Sequence, residues 1–125
     1  MTRILLVEDN ELNRSLVRAI ISRTAEPRLQ SADVVEAQTV EEARAALTGS
    51  ATFDVVLLDV HLPDGSGLDV ARGLAGRPQR PAVVALTAAA MAREQSAAMD
   101  AGCDTFLAKP YTSADLVRTI VEHLR

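Results

Sequence analysis

Five short apolar runs, each followed by a segment of helical periodicity, constrain the fold of this chain more than any other feature. Ile4-Leu5-Leu6-Val7 and Val55-Val56-Leu57-Leu58 are continuous apolar runs. Runs this short with no polar alternation suit strands covered on both faces. Val34-Val35 centre a weaker second strand, Ala82 to Leu86 make a fourth that ends at Thr87, and Thr105 to Ala108 make a fifth that ends at Lys109. Strand and helix alternate five times, which implies an α/β fold: a doubly wound parallel sheet with helices on both faces and right-handed crossovers. Phe53, Phe106 and Tyr111 are the aromatic residues, so the core must be built from Val, Leu, Ile and Ala. The length of 125 residues fits one domain.

Local signals place the helices. Asn10 can cap a first helix whose apolar stripe is Leu12, Leu16, Ile20 and the neighbours Val17 and Ile21. Thr39 and Glu42 have capping-box spacing and open a second helix carrying Val40, Ala43 and Leu47, with Gly49 at its stop. Leu68 to Leu74 is a short third helix after a loop punctuated by Pro63, Gly65 and Gly67. An alanine-rich fourth helix spans about Met91 to Ala101 and stops at Gly102. Thr112 or Ser113 caps the last helix, which bears Leu116, Val117, Ile120 and Leu124 and is expected to reach the final residue.

Charge and composition exclude several classes. A formal net charge of −4 lacks the basic footprint of a nucleic-acid binder. Cys103 is the single cysteine, so no internal disulfide can form. There is no signal-peptide pattern, and no apolar run approaches the ~18 residues of a membrane span. The expectation is a cytoplasmic protein, with no linker to an output domain.

The unusual polar residues gather at strand ends. Glu8 and Asp9 follow the first strand, Asp59 ends the third, Thr87 the fourth and Lys109 the fifth. In open parallel sheets the ligand crevice lies beyond the carboxyl ends of the strands, where the strand order reverses. The flavodoxin-like order 2-1-3-4-5 makes the first and third strands neighbours there, and so brings Glu8, Asp9 and Asp59 together. Three carboxylates in one crevice call for a positive partner. A hard divalent cation suits them, Mg²⁺ above all with Mn²⁺ as a substitute, and Lys109 adds a second positive charge. Metal, ammonium and the Thr87 hydroxyl are what a transferring phosphoryl group needs around its oxygens. Asp59, between the acidic pair and the Thr87/Lys109 side, is the candidate nucleophile for an acyl phosphate.

Four motifs, in order, resemble the receiver domains of two-component response regulators: Leu6-Val7-Glu8-Asp9-Asn10, then Leu57-Leu58-Asp59-Val60-His61-Leu62-Pro63-Asp64-Gly65-Ser66-Gly67, Leu86-Thr87-Ala88, and Phe106-Leu107-Ala108-Lys109-Pro110. The resemblance spans the whole chain, 1–125, as one receiver domain of (βα)5 build. It implies that Asp59 is the phosphoacceptor and that Asp9, Glu8, Asp59 and the His61 main-chain carbonyl serve the metal. It further implies that Thr87 and Lys109 contact the phosphoryl group, that Phe106 is a switch aromatic, and that the Lys109–Pro110 peptide is cis. The implied donor is a histidine kinase or a histidine phosphotransfer protein. The implied output is a downstream protein target bound through the fourth helix, fifth strand and fifth helix. The implied role is a switch that assists its own phosphorylation and dephosphorylation, with no nucleic acid and no membrane involved.

Departures and rivals complete the reading. Leu62 stands where methionine is commoner in the family, and Phe106 where tyrosine is common. His61 occupies a position associated with tuning dephosphorylation, and Ala89 offers no polar group to place a water. The stretch Glu8 to Arg14 resembles receivers of hybrid histidine kinases as much as stand-alone regulators. An unphosphorylated binding module would be marked by loss of an acidic residue, Asp59 or Lys109, and none is lost. A phosphatase of the haloacid-dehalogenase type needs a second carboxylate at the position of His61, and a flavin site needs a phosphate-cradling loop after the first strand. Asp64 and Asp69 read as solvated, Met91 and Met99 as helix packing, Cys103 as a small packing residue, and His123 as a residue without a role.

Overall fold

The computed structural model describes residues 2–49, 52–88 and 92–124. Five strands, β1 (Arg3–Val7), β2 (Asp33–Ala37), β3 (Val55–Asp59), β4 (Ala82–Ala88) and β5 (Thr105–Lys109), form one parallel sheet in the order β2-β1-β3-β4-β5. A two-residue antiparallel ribbon pairs His61–Leu62 with Gly65–Ser66. Five helices follow the strands: α1 (Glu11–Arg23), α2 (Val40–Thr48), α3 (Leu68–Leu74), α4 (Ala92–Asp100) and α5 (Ser113–His123). This is the doubly wound (βα)5 architecture that the strand–helix alternation implies.

Side chains alternate across a strand with period two, so each central strand feeds two cores. Ile4, Leu6, Val55, Leu57, Val84 and Leu86 pack with Val17 and Ile21 of α1 and with Leu116 and Ile120 of α5. Leu5, Val7, Val56, Leu58, Val83 and Ala85 pack with Ala43 of α2, Leu74 of α3 and Ala98 of α4. Full burial of each such Leu or Val contributes about 1.5–3 kcal/mol. The continuous apolar runs are therefore a consequence of having helices on both faces.

The structure corrects the sequence reading in several places. Leu12 and Leu16 are 67% and 54% exposed, so the apolar stripe of α1 is narrower than its hydrophobic residues suggest. Of that stripe Val17 and Ile21, one turn apart, are the residues buried against the sheet. Glu42 does not close the capping box: Thr39 Oγ1 accepts from the Glu42 N–H, but the Glu42 carboxylate accepts from Gln38, one residue too early. Asp64 is not simply solvated. Its carboxylate accepts the N–H groups of Val40 and Glu41 at 2.8 and 3.1 Å, satisfying orphan donors of α2 from a distant loop. These bonds, the one to Val40 first, hold the Asp64 carboxyl below its usual range. Met99 is 46% exposed rather than packed, β4 runs past Thr87 to Ala88, and α5 ends at His123. Met91 and Ala89 lie outside the described residues.

Candidate phosphoryl-transfer site

Register brings the strand-end residues together. Val7 pairs with Leu58, Asp59 with Leu86, Thr87 with Ala108 and Ala88 with Lys109. The residues just beyond these pairs project over one edge of the sheet. Carboxylate oxygens of Glu8, Asp9 and Asp59 lie within 4.8 Å of one another. Glu8 and Asp59 are buried, while Asp9 is exposed. The Lys109 ammonium stands 3.4 Å from Glu8 Oε1 and 3.6 Å from Asp59 Oδ1. Three carboxylates against one ammonium leave a formal charge of −2 in the crevice. An all-oxygen donor set with that deficit fits a hard divalent cation.

Burial of Glu8 is compensated by hydrogen bonds. Its Oε2 accepts from the Asn10 N–H at 3.2 Å, and its Oε1 accepts from Asn13 Nδ2 at 3.1 Å. Asn10 also caps α1, since its Oδ1 accepts from the Asn13 N–H. The turn that starts the helix thus also orients the acid. Asp59 Oδ1 accepts from the His61 N–H at 3.4 Å.

Thr87 is fully buried, and its Oγ1 has no hydrogen-bond partner among the described residues. An unpaired buried hydroxyl costs about 1–3 kcal/mol, so it marks a place where an incoming acceptor gains most. Phe106 is half-buried against the α2–α4 core. The Lys109–Pro110 peptide is cis.

Four residues near the crevice were not among the site residues expected from the sequence. Asn13 contacts Glu8, as described. Glu94, in the first turn of α4, accepts from the Ala88 N–H at 3.0 Å and meets His61 Nε2 at 3.2 Å. The His61 side chain is otherwise 79% exposed. Tyr111 has its phenol pushed up by burial and then by the charges of Glu8 and Asp59. Gly67 admits no side chain, because a Cβ there would collide with the Asp59 carbonyl oxygen. Glycine spacing in the acceptor loop was the available hint for Gly67; Asn13 and Glu94 depend on which way a helix face turns, and Tyr111 on the path of the chain between β5 and α5.

A family model for the response regulator receiver domain matches residues 4–121. The chain belongs to this family. Among curated relatives, the polar-differentiation response regulator DivK of Brucella anthropi is 28% identical over 123 residues, covering 97% of this chain and 94% of DivK. Hybrid signal transduction histidine kinase G of Dictyostelium discoideum is 32% identical over 120 residues; this receiver domain spans 91% of its own length but 3% of that kinase. Among solved structures, the receiver domain of a Pseudomonas aeruginosa PAO1 sensor histidine kinase superposes with a TM-score of 0.80 at 29% identity, covering 98% of this chain and 96% of that one. That structure has a magnesium ion coordinated in its active site cleft. A CheY-like receiver from Methanospirillum hungatei JF-1 gives a TM-score of 0.82 at 25% identity, covering 98% and 92%.

Receiver domains are signalling modules of two-component systems that relay from histidine kinases. Among the described residues, no helix is long and apolar enough to cross a membrane.

Proposed function

We propose that this receiver domain is a phosphorylation switch in which Asp59 takes a phosphoryl group from a phosphohistidine donor. The Asp59 carboxylate oxygen attacks phosphorus, the N–P bond breaks, and the electron pair returns to the donor imidazole, which recovers a proton from solvent. Glu8, Asp9, Asp59 and the His61 main-chain carbonyl would hold Mg²⁺, with Mn²⁺ as a substitute. When bound, the ion supplies positive charge for the phosphoryl oxygens. Lys109, already 3.6 Å from Asp59, offers its ammonium to another phosphoryl oxygen. Thr87 offers its buried hydroxyl as a donor. The observation that carries this reading is the orphaned Thr87 hydroxyl and the shared Lys109 ammonium beside the acidic cluster.

Hydrolysis of the acyl phosphate resets the switch, so the domain assists both its own phosphorylation and dephosphorylation without acting as a turnover enzyme on other substrates. Engagement of Thr87 and Lys109 draws the ends of β4 and β5 toward the phosphoryl group. Phe106, on β5 opposite Ala85 and packed against the core that includes Ala98 of α4, shifts its side chain with them. The altered α4, β5 and α5 face then binds a downstream protein. Addition of beryllium fluoride and Mg²⁺ to ¹⁵N-labelled protein tests this. Amide shifts concentrated around Asp59 and on α4, β5 and α5 are the expected result. Shifts confined to the crevice would refute the signalling face, and none at all would refute the switch.

A further inference from the structure

We infer that Asn13 is a positioning residue for phosphoryl transfer, acting through Glu8 to release Lys109 for the phosphoryl group. This rests on the phosphoryl-switch reading above.

Lys109 is divided almost evenly between two acids, 3.4 Å from Glu8 Oε1 and 3.6 Å from Asp59 Oδ1. To serve a phosphoryl oxygen it must loosen its hold on Glu8. Glu8 is 2% exposed, and a buried carboxylate left without donors is costly. Asn13 Nδ2 bonds the same oxygen, Oε1, at 3.1 Å, so that atom keeps a donor when Lys109 leaves. The other oxygen, Oε2, is held by the Asn10 N–H at 3.2 Å.

The chemistry of the amide matters here. A Lys or Arg at position 13 would also satisfy Glu8, but it would cancel a charge that the divalent cation needs. An amide donates a hydrogen bond and leaves the formal charge of −2 unchanged. The amide is held in place by the helix start, because the Asn13 N–H donates to the Asn10 side chain at 3.0 Å. Glu8, Asn10 and Asn13 therefore form a closed set of hydrogen bonds in which the carboxylate orients both the helix cap and its own donor.

The test compares Asn13→Ala, Glu8→Gln and the double variant in the 125-residue chain. Phosphoryl uptake from phosphoramidate is followed by intact mass at saturating Mg²⁺, with thermal unfolding as a folding control. Asn13 is half-buried and its backbone cap is independent of its side chain, so Asn13→Ala keeps the fold. Its uptake should slow about tenfold, the effect of one hydrogen bond to a charged group. In the Glu8→Gln background the same change should alter the rate less than about twofold, since the acid through which Asn13 acts is gone. Uptake by Asn13→Ala at the wild-type rate would overturn the inference, as would an equal slowing in both backgrounds, which would mark a merely structural role. Failure of the wild-type protein to take up phosphoryl would remove the switch reading itself, and this inference with it.

Discussion

Replacing Lys109 with methionine should destabilise the metal-free domain, and Mg²⁺ should narrow the difference. The ammonium lies 3.4 Å from Glu8 and 3.6 Å from Asp59. At an effective dielectric constant of about 20, each attraction is about 5 kcal/mol before desolvation is counted. Lys109 is about one-third exposed, which screens it, and truncating one partner of a buried pair costs about 3–5 kcal/mol in practice. The low end, about 3 kcal/mol, is the expected loss. For a chain of this length that lowers the melting temperature by about 12 °C, at roughly 4 °C per kcal/mol. Methionine keeps an apolar stem of similar length, so lost packing contributes little. The substitution also leaves three carboxylates without their ammonium, a formal charge of −3 rather than −2. Mg²⁺ should therefore bind the variant more tightly, and each tenfold gain in affinity recovers about 1.4 kcal/mol at saturating ion. Thermal unfolding of both proteins, with chelator and with Mg²⁺, measures all four values. A melting-temperature gap that Mg²⁺ leaves unchanged would contradict the electrostatic account of the crevice.

Three further outcomes follow from named atoms. Thr87→Val removes a buried hydroxyl that lacks a partner and keeps the shape, so the resting domain should gain about 1 kcal/mol in chemical denaturation while beryllium fluoride binding weakens. Gly67→Ala drives a methyl into the Asp59 carbonyl oxygen and should cost about 2 kcal/mol or more in the same assay, because α3 and the acceptor strand must part. Burial, then the neighbouring Asp104 charge, pushes the Cys103 thiol up to about 11 from 9.0. The raised folded value means that this stabilisation is complete below pH 9 and is lost as pH rises toward 11, so stability should fall over that window less in Cys103→Ala. Rapid labelling of native protein at pH 8 by an aromatic disulfide would contradict the buried, protonated thiol.

Much of this was legible in the sequence because strand burial and strand order leave strong marks. Helices on both faces require continuous apolar strands, and these stand out as runs such as Val55-Val56-Leu57-Leu58. Once strands β1 and β3 are neighbours, chain order alone places Glu8, Asp9 and Asp59 at one edge. What escaped depends on rotation and on long-range partners. Leu12 and Leu16 are as hydrophobic as Val17 and Ile21, and which pair faces the sheet depends on how α1 sits upon it. Asp64 caps a helix 24 residues earlier in the chain, a partnership no local pattern encodes. Asn13 and Glu94 reach the crevice from helix faces that look solvent-facing in one dimension.

The central claim is that Asp59 accepts a phosphoryl group with metal assistance. Intact-protein mass after incubation with acetyl phosphate, with and without Mg²⁺ and alongside Asp59→Asn, tests it most directly. The account predicts a gain of one phosphoryl group that requires the metal and is absent in the variant. A gain that persists in Asp59→Asn, or no gain in wild-type protein that also fails to bind beryllium fluoride, would contradict it.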